Sequence, residues 1–321
     1  MINIDNEDFM FAVNNYYGRF YILALLSAVL LSSCSIWEER YRDDDIVKFF
    51  SQNDLDVEIG YYTVMGRKMR YMSIGEDTLP TVLLIHGAPS SMSVFNELIA
   101  DTDILQRAKV FAVDRPGYGF SNFGKTMKSI RKQAAMIAPI LDSLHQANGP
   151  VVVMGVSYGG PVASRLAMDF PDLVDGLVLG APAIAPGEEK TYLISYLITS
   201  EMTRWIFPTM LVVASEEKFS HEEELKKMLP LWEKVDKPII YIQGEEDDLI
   251  YLSNAKFIEE KAVNAPFLKV VMIPDQPHFL AIPQKDLLAK SLIEMIDILK
   301  NGIPKALDYA DENMEVIEWV D

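Results

Sequence analysis

A serine stands between two glycines in Gly155-Val156-Ser157-Tyr158-Gly159-Gly160, after the apolar run Val151 to Met154 and before a helix-like stretch, Val162 to Met168. A strand that turns at once into a helix leaves no room for side chains two positions either side of the serine, and glycine fits both places. The turn forces strained backbone angles on Ser157. It projects the hydroxyl above the sheet edge, at a helix N-terminus where developing negative charge is favoured. The chemistry this suits is nucleophilic attack, for which a serine hydroxyl needs a neighbouring base. Four histidines are available: His86, His145, His221 and His278. They are scattered without H-x-x-x-H spacing, so the sequence offers no metal centre. The acidic run Glu245-Glu246-Asp247-Asp248 lacks the alternating spacing of a calcium loop.

Such a serine needs a sheet to stand on. From Val57 the pattern alternates, and Val57 to Tyr62 with Lys68 to Met72 reads as an antiparallel pair joined near Gly66. Short continuous apolar runs follow at Thr81 to Ile85, Lys109 to Val113, Val151 to Met154, Leu177 to Leu179, Pro238 to Ile242 and Leu268 to Ile273. Runs of this kind mark strands covered on both faces. Segments with helical periodicity separate them, for example Ile130 to Leu144. Alternation of strand and helix predicts a mostly parallel sheet with helices on both sides. The interval 183–235 breaks the rhythm: it holds no buried strand, and Tyr192, Tyr196, Met202, Trp205, Phe207, Met210 and Trp232 fall within helix-like stretches. It reads as a helical cap over the C-terminal strand ends, between core segments 57–182 and 236–305. Most of its apolar residues would pack the cap onto the body, and a few would line a substrate cavity.

The loop Gly244-Glu245-Glu246-Asp247-Asp248 follows one core strand, and Pro274-Asp275-Gln276-Pro277-His278 follows the last. His86-Gly87-Ala88-Pro89 and Asp114-Arg115-Pro116-Gly117-Tyr118-Gly119-Phe120-Ser121 follow two earlier ones. Together with the serine turn, these motifs resemble the α/β-hydrolase superfamily over about 57–299. The resemblance implies an α/β-hydrolase fold with a helical cap and a chain order of nucleophile, acid, histidine. That order points to His278 as general base. It leaves His86 structural and His221 a solvated cap residue among Glu222, Glu223 and Glu224. The acidic loop is similar to the family's G-x-x-D turn, which selects Asp247 over its competitor Asp248 to hold the imidazole tautomer. The oxyanion donors implied are the N–H groups of Ala88 and Tyr158. The Asp114–Ser121 turn looks like a scaffold signature without a chemical role. The activity implied is a serine hydrolase that cleaves a carboxylic ester of a small or medium apolar substrate through an acyl-enzyme, with no cofactor. The triad alone does not separate this from carbon–carbon bond or amide hydrolysis. A non-catalytic binding lipoprotein is the remaining rival, and it has no need of all three residues. His86-Gly87-Ala88-Pro89 is similar to the epoxide-hydrolase branch, but those enzymes use aspartate where this chain has Ser157.

Half of the 321 residues are hydrophobic, which suits a large core, and the formal net charge is -18. A surface that acidic repels phosphate backbones, which sets nucleic-acid partners aside. The lone cysteine excludes an internal disulfide and a cysteine-rich zinc site. Arg19 is followed by an apolar run, Phe20 to Leu31, too short to span a bilayer, which takes roughly 20 residues. The run suits a signal-peptide core. Leu31-Ser32-Ser33-Cys34 resembles a bacterial lipobox, which implies a signal over 1–34, lipidation of Cys34 and membrane attachment in the cell envelope. Ser35 after the cysteine favours the outer membrane over the inner one under the family's sorting rule. Residues 35–56 read as a charged tether and lead-in, and 306–321 as an acidic tail.

Overall fold

Thr81–Ile85 and Gly176–Gly180 are apolar from end to end, and every residue of both is buried. In the computed structural model these are two strands of one sheet. The structure describes residues 40–144, 149–278, 283–303 and 315–320. The chain divides into two units, 1–39 and 40–321, and all described residues belong to the second.

The strands in chain order are β1 (Glu58–Val64), β2 (Arg67–Ile74), β3 (Thr81–Ile85), β4 (Lys109–Val113), β5 (Val151–Val156), β6 (Gly176–Gly180), β7 (Ile239–Gly244), β8 (Phe267–Ile273) and β9 (Glu315–Val320). They form a sheet in the order β1-β2-β4-β3-β5-β6-β7-β8-β9. Strands β3 to β8 run parallel. The outer pairs β1–β2, β2–β4 and β8–β9 are antiparallel. The main helices are α1 (Asp43–Ser51), α2 (Ile130–Leu144), α3 (Gly159–Asp169), α4 (Ile194–Thr199), α5 (Thr209–Lys226), α6 (Ser253–Lys261) and α7 (Lys285–Asn301).

Side chains alternate across a strand, so each central strand feeds two cores. Leu83, Ile85, Val151, Val153, Leu177, Leu179, Ile239 and Tyr241 point to one face, against α2, α3 and α6. Val82, Leu84, Val152, Met154, Val178, Ile240 and Ile242 point to the other, against α7 and α1. Both cores, among the described residues, draw on strands and helices from the whole of the 40–321 unit.

Two segments differ from the sequence reading. Within 35–56, residues 43–51 form α1, which buries Ile46 and Phe50. Its apolar stripe is short and follows three aspartates, which hides it among charges. At the other end, the stretch read as an acidic tail supplies β9, antiparallel to β8. Each of its two acidic residues is followed by two apolar ones in Glu315-Val316-Ile317-Glu318-Trp319-Val320, and charges of this kind suit an edge strand. The interval 183–235 contains α4, α5 and short 3₁₀ turns and no strand.

Candidate active site

The parallel strands aim their C-terminal ends at one edge of the sheet. The loops there carry His86 after β3, Asp114 and Arg115 after β4, Ser157 after β5, Asp247 after β7 and His278 after β8. Ser157 has φ 54°, in the left-handed region that costs a non-glycine residue of order 1–3 kcal/mol. Its neighbours leave it no alternative. A Cβ on Gly155 would lie 2.3 Å from the Gly159 carbonyl oxygen, and one on Gly159 would lie 2.2 Å from that of Ile85. Both glycines are therefore fixed by backbone contact, as the serine motif predicts.

The structure brings Ser157, His278 and Asp247 together. His278 Nδ1 donates to Asp247 Oδ2 at 2.8 Å. That proton leaves Nε2 as an acceptor, and the Ser157 hydroxyl lies 3.0 Å from it. The other Asp247 oxygen accepts from the Leu249 and Ile250 amides at 3.1 and 2.8 Å, which locks the carboxylate plane. Asp247 and His278 are buried, while Ser157 is half-buried and open to attack from outside. Asp248, the competitor, is exposed and paired with Lys190 Nζ at 2.6 Å, a contact that lowers its pKa.

Ala88 and Tyr158 flank the serine. Among the described residues no backbone hydrogen bond takes up the N–H of either. Gly87 lies so close that a Cβ built on it would sit 3.0 Å from Ser157 Cβ. The Gly87 carbonyl is clamped from the opposite side. It accepts from His86 Nδ1 at 2.7 Å and from Arg115 Nη2 at 3.1 Å. Carbonyl and N–H of a trans peptide point in opposite directions. The two side chains that hold the Gly87 oxygen thereby turn the Ala88 N–H away from themselves. His86 Nε2 accepts from the Arg115 amide at 2.9 Å, which fixes the tautomer. Burial and the Arg115 charge push the His86 pKa well below its ordinary value, so the ring is a neutral structural element.

Comparison with known proteins agrees with the fold. A family model described as alpha/beta hydrolase fold matches residues 80–211. A solved membrane phospholipase A, described as a bacterial virulence factor, superposes with TM-score 0.61 at 18% identity over 92% of this chain and 99% of that one. The chain has the α/β-hydrolase fold. It is also 30% identical over 177 residues to lipase LipV of Mycobacterium tuberculosis, spanning 55% of this chain and 60% of that lipase. It is 25% identical over 255 residues to a poly(3-hydroxyalkanoate) depolymerase of Ectopseudomonas oleovorans, over 69% of this chain and 86% of that one.

Within this hydrolase fold, the segment between β6 and β7 is bolted to the body by charges that sequence reading missed. Arg115 and Glu217 of α5 are both fully buried and pair in bidentate fashion, Nη1 to Oε1 at 2.9 Å and Nη2 to Oε2 at 3.1 Å. Gln133 and Tyr118 donate to the same carboxylate at 2.8 and 2.6 Å. Burial is the largest influence and would lower the Arg115 pKa, but Glu217, Tyr118 and Tyr158 together hold the guanidinium above its ordinary value. The Asp114–Ser121 turn thus carries the arginine that clamps the Gly87 peptide, beyond its scaffold role. His221 is fully buried, not solvated: its ring stacks on Tyr158 at 4.5 Å between centroids, and Nδ1 lies 2.6 Å from Glu189. Of the aromatic and methionine residues in 183–235, Trp232 and Met210 are buried in cores. Tyr192, Tyr196, Met202 and Trp205 turn outward instead. Cys34 and the apolar run read as a signal lie outside the described residues.

Breaking a buried ion pair leaves a charge without water or partner. Glu217→Ala should cost about 3–5 kcal/mol in denaturant unfolding. The double variant Arg115→Met, Glu217→Leu should recover most of that loss, because neither charge is then stranded. A double variant as unstable as the single one would show that the pair is not the source.

Proposed function

We propose that this protein is a serine hydrolase that cleaves carboxylic esters of small or medium apolar substrates through an acyl-enzyme. The observation that carries the reading is the hydrogen-bonded chain Ser157 Oγ, His278 Nε2, His278 Nδ1, Asp247 Oδ2, with both links near 3 Å. Ser157 attacks the carbonyl carbon while His278 Nε2 takes its proton. The negative charge that develops on the carbonyl oxygen meets the Ala88 and Tyr158 amides. Asp247 stabilises the imidazolium without taking the proton itself. His278 then protonates the leaving alkoxide. A water molecule, deprotonated by the same nitrogen, releases the acid and restores the serine. The lipase and the depolymerase among its relatives are named for ester-cleaving activities, which supports an ester over a carbon–carbon or amide bond.

We further propose that Cys34 carries a lipid and holds the enzyme on an envelope membrane, on the strength of the lipobox-like Leu31-Ser32-Ser33-Cys34. Labelled palmitate should enter the wild type and not Cys34→Ser; equal incorporation in both would reject the anchor.

The activity is tested with p-nitrophenyl esters of increasing chain length. Ser157→Ala should lower kcat/KM by about 10⁴-fold or more. The Arg115→Met, Glu217→Leu variant removes one of the two groups that hold the Gly87 carbonyl, leaving His86, and spares the triad. It should lower kcat about 10-fold or more with little change in KM, since the Ala88 donor acts in the transition state. Equal turnover by wild type and Ser157→Ala would refute the mechanism.

A further inference from the structure

The segment that joins β6 to β7 exposes apolar surface that folding does not explain. Leu193 and Met202 are each 85% exposed, and Trp205 is 79% exposed. Tyr192, Tyr196 and Leu197 stand beside them, about half in solvent. With Ile194, seven large apolar side chains within 192–205 face solvent, the kind of exposure that marks a contact surface. Three polar groups of the segment are bonded within it. Trp205 Nε1 donates to the Met202 carbonyl at 2.9 Å. Thr199 donates to the Ser195 carbonyl at 3.0 Å, and Thr203 to that of Leu197. An indole whose N–H is bonded internally leaves water at little polar cost.

Charge says what covers the patch. Residues 191–207 carry one acidic and one basic side chain, Glu201 and Arg204, on a chain of net charge -18. A second copy of so acidic a protein would be repelled, and so would anionic lipid. A lipid surface without net charge meets no such penalty, and interfacial binding grows with buried apolar area.

The course of the chain agrees. The unit begins at Arg40, whose Nε donates to the Gly119 carbonyl at 2.7 Å and whose guanidinium lies 4.1 and 4.0 Å from the rings of Phe120 and Phe123. That loop follows β4 at the Ser157 edge of the sheet. It also touches the cap: a Cβ on Gly124 would lie 2.9 Å from Thr209 Cγ2, four residues beyond Trp205. Arg204, next to Trp205, pairs with Glu216 at 3.3 Å, and Thr126 of that same loop donates to the Glu216 carboxylate, so the segment is tied to the loop that Arg40 holds.

We propose that the outer face of 192–205 docks on a lipid–water interface of zwitterionic lipid, with the Ser157 edge of the sheet on the membrane side. This docking is independent of the triad and of Cys34. It is tested with residues 40–321, which hold both cores and lack the cysteine. In flotation with phosphatidylcholine vesicles this protein should rise with the lipid, and Trp205 emission should shift to the blue and be quenched by brominated lipid. Leu193→Ser, Met202→Ser, Trp205→Ser together should weaken partition by about 10-fold or more while leaving the thermal midpoint unchanged. No flotation of the wild type would overturn the proposal. Undiminished flotation of the triple variant would overturn it in favour of another surface. Light scattering that shows a dimer lost in the triple variant, without vesicle binding, would assign the patch to a second copy.

Discussion

A fully buried guanidinium must find every partner within the protein, because no water reaches it to make up a deficit. Arg115 meets that demand by drawing three parts of the fold to one point. It bonds the His86 and Gly87 carbonyls after β3, Gln133 on α2 and Glu217 on α5. None of these can shift alone without stranding charge. The relation between the cap helix, the body and the loop beside the serine is thereby set by one electrostatic requirement. A patch of apolar contacts would hold the same elements together but would tolerate sliding. A bidentate pair with two further donors on its carboxylate does not.

The second constraint is steric. Ser157 holds left-handed angles because β5 turns into α3 against the end of β3, with no space for a side chain at Gly155 or Gly159. The strain is held by the sheet on one side and by the helix on the other, and its result is a hydroxyl that stands clear of the strand. His278 and Asp247 then reach it from loops that follow two other strands. The clamp at Gly87 and the strain at Ser157 meet across a single contact, so the hydroxyl and the Ala88 amide are located by the same few atoms.

Much of this was legible in the residues. Continuous apolar runs marked β3, β5, β6 and β7, because burial on both faces leaves no place for polar residues. The G-x-S-x-G turn located the serine by sterics, and the meeting of His278 and Asp247 with it follows the chain order that the resemblance implied. The buried charges were not legible. Arg115 lies in a turn that looks like scaffold, and its partner Glu217 is 102 positions away on a helix dense in acidic residues. His221 among three glutamates reads as solvated, and only the fold reveals that Tyr158 lies under it. The outward turn of Trp205 and Met202 was equally hidden, since aromatic and methionine residues at helical spacing ordinarily read as core. Helix α1 escaped notice because its apolar positions are few and follow three aspartates, and β9 because its apolar pairs do not alternate with the acids around them.

The central claim is that His278 activates Ser157 for covalent catalysis. Its most direct test is the mass of the peptide that contains Ser157 after brief exposure of the folded protein to a fluorophosphonate probe. The account predicts a stoichiometric adduct on Ser157 in the wild type and almost none in His278→Ala. An unlabelled Ser157 in well-folded wild type, or equal labelling with and without His278, would contradict it.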